Sequence, residues 1–173
     1  MRSLLFVTGF LAILWPPVAF SDTPLGEINI QLYGNIVDFT CVAEGSDSDK
    51  TVSLGSWPTK QLRTAGSRTS AVPFTLKLTG CPPGAASITF SGKADASDST
   101  LLALNDASGA RHVAVEIRDR DRARLALQQA SQTVPVDDQG NAELSFYANY
   151  IATADNPQPG QADADATFMI NYN

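Results

Sequence analysis

Histidine, cysteine and charge are all scarce in this chain. One histidine, two cysteines and 17% charged residues among 173 positions leave little material for catalysis or metal binding. With His112 alone and no Cys-x-x-Cys spacing, a structural zinc site is not expected. Neither a Gly-x-Ser-x-Gly elbow nor a Ser-x-x-Lys pair is present, so no nucleophile is signalled. Asp47-Ser48-Asp49 lacks the glycine and closing glutamate of an EF-hand loop, and the pairs Asp47/Asp49 and Asp95/Asp98 read as polar loop. No enzyme and no cofactor is expected.

Basic clusters are also missing. Twelve Lys and Arg stand against 18 Asp and Glu, a net charge of −6, and neither nucleic acid nor an anionic membrane suits as partner. Asp119-Arg120-Asp121-Arg122 alternates in sign and reads as a solvated loop or strand end. The longest apolar run, residues 4–15, is too short to span a bilayer, so direct membrane insertion is not expected. A sustained 3.6-residue apolar period is absent as well, which predicts little helix, with residues 128–131 adding a turn at most.

What the N-terminus does hold is a leader pattern. Arg2, the apolar run 4–15 and the small residues of Ala19-Phe20-Ser21 predict a signal peptide over 1–21 with cleavage before Asp22. The alternative is a retained anchor. The mature chain, 22–173, would be exported and carry 11 basic against 18 acidic residues, net −7. In that compartment an even cysteine count favours a disulfide, Cys41–Cys81. About 150 mature residues make one domain with a sizeable core.

Alternation with a period of two dominates that domain. Short strands are read at 51–54, 72–78 (Val72, Phe74, Leu76, Leu78) and 87–90. A polar loop fills 56–70, and 101–104 is a short apolar piece. Val113, Val115 and Ile117 alternate, as do Leu125 and Leu127, and Val134 and Val136. Asp137-Asp138-Gln139-Gly140 is a turn ahead of Leu144, Phe146, Ala148 and Tyr150. A last strand alternates through Ala162, Ala164, Ala166, Phe168, Ile170 and Tyr172, with Asp163 and Asp165 toward solvent. Such a series describes an all-β antiparallel sandwich of immunoglobulin-like type.

One segment breaks the rule. Between residues 27 and 41 the apolar set occupies even positions (Ile28, Ile30, Leu32, Ile36, with Gly34 in the gap) and then odd ones (Val37, Phe39, Cys41). Side chains alternate faces along a strand, so this slip turns the apolar set over. Either the slip is a β-bulge in one ordinary strand, or two strands lie end to end. Extended, residues 28–41 span about 45 Å, against about 38 Å expected across a domain of this size. At the other end, an apolar last strand reaching the C-terminus would present an edge that needs a partner.

Together these features resemble the pilin subunits of chaperone–usher fimbriae, and are similar to the minor tip subunits of type 1 fimbriae. The resemblance rests on the arm with Gly34 followed by Cys41, on Pro73-Phe74-Thr75-Leu76-Lys77-Leu78-Thr79-Gly80-Cys81, and on Phe90-Ser91-Gly92 before Ala94-Asp95. It rests also on Leu144-Ser145-Phe146-Tyr147-Ala148, and on a tail with Gly160 fourteenth from the end and Tyr172 penultimate. It implies an incomplete immunoglobulin-like sandwich lacking its last strand, at 37–173, with an N-terminal donor-strand extension at 22–36.

Carried over residue by residue, the donors would be Ile28, Ile30, Leu32, Gly34 and Ile36. The acceptor edge and chaperone contact would involve Gly160, Ala164, Ala166, Phe168, Ile170, Tyr172 and the terminal carboxylate of Asn173. A periplasmic chaperone would lend a strand, and at an outer-membrane usher the arm of the next pilin would replace it. The implied function is a structural subunit of a surface fimbria of a Gram-negative bacterium, a tip or adaptor subunit supporting adhesion. Alternatives are the major rod subunit, a secreted carbohydrate-binding module or, with least support, a secreted enzyme.

Overall fold

The computed structural model describes residues 41–45 and 47–172. The expected leader 1–21, the arm 22–36 with Ile28, Ile30, Leu32, Gly34 and Ile36, and the terminal Asn173 lie outside the described residues. The described part is an all-β sandwich. Its strands are β1 (Val42–Ala43), β2 (Val72–Thr79), β3 (Ala85–Gly92), β4 (Val113–Arg118), β5 (Val134–Pro135), β6 (Ala142–Ala152) and β7 (Ala166–Tyr172). One sheet has the order β1-β2-β6-β4 and the other β5-β3-β7, all antiparallel. The 3-10 turn Thr59–Gln61 is the helical element among the described residues.

Period-two alternation places the core where it was expected. Leu76 and Leu78 of β2, Ile88 and Phe90 of β3, Val115 and Ile117 of β4, and Leu144 and Phe146 of β6 are buried between the sheets. Phe90 lies edge-on to Phe146 at 5.0 Å between centroids, and Phe74 packs on Phe146 at 5.6 Å. Pro73 sits inside β2 without cost. Lys77 turns its backbone N–H and C=O away from β6, toward Asp47 and Glu44, so Pro73, of the same parity, needs no donor on the β6 side. Cys41 and Cys81 form a disulfide with S–S 2.02 Å.

Three expectations need correction. Residues 51–54 form no strand. The 101–104 and 124–127 pieces join the sheets only through single bridges, Leu102 to Val115 and Arg124 to Arg118. Residues 128–131 stay within the limit of one turn, adding no helix, and Ala130 bridges Thr89 of β3. The last strand begins at Ala166, because the backbone before it is already engaged with a loop. Ala110 donates to Gln161 O (3.0 Å), Asn105 to Asp163 O (2.7 Å), and Arg111 and Gln158 exchange two bonds. The ladder to β3 stops at Ala166, and the stretch ahead of it is paired with that loop instead.

Gly160 lies in this engaged stretch, outside the β7 ladder. A Cβ on Gly160 would overlap Gly109 C and Ala110 N and stand 2.7 Å from Gly109 Cα, so only glycine fits against this backbone. The obstructing atoms are backbone and cannot rotate aside. Gly160→Ala is therefore expected to lower the unfolding free energy by about 2 kcal/mol, read from urea denaturation. An unchanged midpoint would refute the close contact.

Candidate functional site

β7 is the edge of its sheet. It pairs with β3 over its whole length, from Ala86↔Tyr172 to Gly92↔Ala166, and among the described residues no strand pairs with its other side. Its inward residues are only half covered. Phe168 and Ile170 pack on the core, Phe168 edge-on to Phe90 at 6.4 Å, yet both remain partly exposed. Ala164 also packs on the core, just ahead of the strand, and Ala166 is exposed at its start. Met169 is 62% and Tyr172 55% exposed. Thus Ala166, Phe168, Ile170 and Tyr172 share one strand, as expected, Ala164 leads into it, and Gly160 stands apart at the 105–111 loop.

That loop fixes how the chain enters β7. Tyr150 donates its hydroxyl to Ala162 O at 2.7 Å, and burial, with Asp163 adding to it, pushes the phenol pKa up. Asp165 accepts from Asn105 Nδ2 at 2.9 Å, while Asp163 and Asp165 are exposed as expected. An edge strand held at both its entry and its ladder is a rigid template. The N–H and C=O groups of alternate residues along this seven-residue strand point to its open side, above half-covered phenylalanine and isoleucine, and suit addition of an apolar strand.

A second polar feature lies away from β7. Glu116 of β4 is fully buried, and its carboxylate accepts from Arg68 Nε (2.8 Å), Arg118 Nε (2.9 Å), Arg124 Nε (2.8 Å) and Asn149 Nδ2 (3.2 Å). Burial pushes its pKa up, but the three guanidinium groups and the amide more than offset this and hold it at about 2. Asp119, read as part of a solvated loop, is buried too, accepting from Arg120 N (2.7 Å) and Gln132 N (2.6 Å). Asp47 is a buried loop residue whose carboxylate takes Lys50 Nζ (2.6 Å) and Lys77 N (2.8 Å). The available signal for Glu116 was its place between Val115 and Ile117 in a strand buried on both faces. His112 is exposed beside β4, and among the described residues no group of His, Cys, Asp and Glu could hold a metal ion.

A family model described as fimbrial protein matches residues 30–173. The chain belongs to the fimbrial protein family. It is 58% identical over 161 residues to the fimbrial-like protein FimF of Salmonella typhimurium, covering 93% of each chain. It is 35% identical over 150 residues to the type-1 fimbrial protein A chain of Escherichia coli K12, covering 83% of this chain and 82% of that one. Among solved structures, the P pilus rod subunit PapA matches with a TM-score of 0.62 at 16% identity, over 77% of this chain and 99% of that one. A chaperone–usher pilus subunit matches with a TM-score of 0.63 at 17% identity, over 87% and 98%. These two likenesses speak to the fold, which is the immunoglobulin-like sandwich of pilins. As a fimbrial protein the chain is a building subunit of a surface fibre, its partners include other subunits, and its family is not one of enzymes. No helix among the described residues is long and apolar enough to cross a membrane.

Proposed function

We propose that this fimbrial protein is a minor tip or adaptor subunit that joins its fibre by strand addition at β7. The observation that carries the reading is the one-sided ladder of β7, with half-covered Phe168 and Ile170 beneath it. A periplasmic chaperone would first supply the missing strand, anchoring the carboxylate of Asn173. At the outer-membrane usher the N-terminal arm of the next subunit would replace it, while this chain's own arm, 22–36, would complete a neighbour. Ile28, Ile30, Leu32 and Ile36 would enter the core of the neighbour, with Gly34 where no side chain fits. The phase slip at Ile36/Val37 would then mark the boundary between two molecules' cores. Identity of 58% to FimF, against 35% to the A chain, favours the minor over the major subunit.

Burying four large aliphatic side chains contributes roughly 6–12 kcal/mol before ordering costs. Each backbone bond adds about 1 kcal/mol net. Leaving such a joint requires near-unfolding of the acceptor, so dissociation should be very slow. The test is Ile30→Asp, expected to abolish donation while the subunit still accepts a neighbour's arm, as would deletion of residues 22–35. The measurement is the subunit composition of purified fibres. Normal incorporation of the variant on both sides would overturn the reading.

A further inference from the structure

The two sheets have other edges, and the structure closes those that border β3 and β4. The strip of chain 119–131 runs along both. At β4, Leu125 N donates to Ile117 O (2.9 Å) and Asp119 N to Ala123 O (3.0 Å), while Leu102 exchanges two bonds with Val115 ahead of them. At β3, Gln128 N donates to Phe90 O (2.9 Å), Ser131 N to Ile88 O (2.8 Å), and Ile88 N to Ser131 Oγ (3.0 Å). One short strip thus fills the outward ladder positions of a strand in each sheet, and Leu125 and Leu127 bury their side chains in the core between. It is not a strand of its own, so backbone pairing alone holds it weakly. Besides the two buried leucines, its fixings are polar. Arg124 donates to Glu116 Oε1 (2.8 Å), Asp98 Oδ2 (2.7 Å) and Thr100 Oγ1 (3.1 Å), and Asp119 ties its start to Gln132 N.

We infer that this strip is an edge guard, pinned by Arg124 on Glu116, that confines strand addition to β7. The inference rests on the strand-addition reading and adds to it the residues that determine where addition occurs. An apolar arm that can complete one antiparallel sheet can also pair with any other exposed ladder of suitable length. β1 and β5 are two residues long and offer little. β3 and β4, eight and six residues long, would be competing acceptors if their outer sides were open. Arg124 is suited to the task because a guanidinium fork can hold two carboxylates at once, one buried in β4 and one in the 95–101 loop. Arg124 and Glu116 are here positioning residues; they do not touch the incoming strand.

The test uses the mature chain, an Arg124→Gln variant and a Ser131→Ala variant that loses the Oγ bonds to Ile88 N and Gln132 O. The probe is a peptide of residues 22–36 carrying a photoreactive group, with labelled sites mapped by mass spectrometry and amide exchange followed in parallel. In the unaltered chain, label is expected on β7 alone. In Arg124→Gln, the Leu125 and Gln128 amides should exchange at least tenfold faster, and label should appear on β3 or β4 as well. Ser131→Ala should shift label toward β3, and it decides the matter if Arg124→Gln does not fold. Faster exchange throughout the domain with label still confined to β7 would make Arg124 merely structural and overturn the guard. Absence of label on β7 in the unaltered chain would instead overturn the strand-addition reading itself.

Discussion

Replacing Glu116 by alanine is expected to destabilise the domain by about 3 kcal/mol, measured by urea denaturation at neutral pH. The carboxylate is the shared acceptor of three arginines, and its side chain is 1% exposed. Its loss leaves Arg68, Arg118 and Arg124 with no common counter-charge. All three reach solvent and can rehydrate in part, which keeps the figure at the lower end for a broken buried pair. Asn149 adds to it, since its Oδ1 already has no hydrogen-bond partner in the protein and its Nδ2 would keep Tyr150 O alone.

The same group sets a pH dependence whose direction follows from linkage. The folded pKa of Glu116 is about 2, below its ordinary 4.5. Its contribution is fully present above the unfolded value and disappears as pH falls from 4.5 toward 2, roughly 3 kcal/mol in all. Glu116→Gln keeps the volume and removes the charge, so its stability should change less between pH 6 and pH 2.5 than that of the natural chain. Asp47, held low by Lys50 and the Lys77 N–H, and Asp98, held low by Thr100 and then Arg124, retain some acid sensitivity in the variant. Equal slopes for the two proteins would refute the network's part in acid lability.

Removing the Cys41–Cys81 bridge should have a comparable or larger effect. The cysteines are 40 residues apart, and closing a loop of that size is worth about 4 kcal/mol on the chain-entropy model. The double variant Cys41→Ser, Cys81→Ser is expected to show that loss in chaperone-free urea unfolding. The natural protein treated with reductant should reproduce it. A variant as stable as the parent would mean that the segment before β2 is held by other contacts.

Much of this fold was readable because period-two alternation is a strong signal. β2 and β6 stand where Phe74, Leu76 and Leu78 and where Leu144, Phe146 and Ala148 alternate, and residues 137–140 turn as expected, with Gly140 N donating to Asp137 O. Alternation says which face is apolar but not which backbone groups are engaged. Ala162 and Ala164 therefore extended the last strand on paper, while their neighbours bond to the 105–111 loop in the fold. Residues 51–54 alternate over too few positions to build a ladder. The Glu116 site was hidden for a different reason: Arg68 is 48 residues away in sequence, and only the bridging of Arg68 to Ile151 of β6 brings it alongside β4. The apolar tail that forms β7 was legible as a strand, whereas the alternation of Leu125 and Leu127 says nothing of the two-sided pairing of 119–131.

The disulfide also decides how a fibre joint would carry tension. A pull arriving from ahead of Cys41 passes through sulfur to Cys81 at the entrance of β3, and the residues between them bear none of it. Without the bridge, the two-residue β1 would peel from β2 first, and unravelling the intervening chain would release about 130 Å of slack. With it, the load goes directly to β3 and across the seven-residue ladder to β7, where the bonds are stretched together in shear rather than broken one at a time.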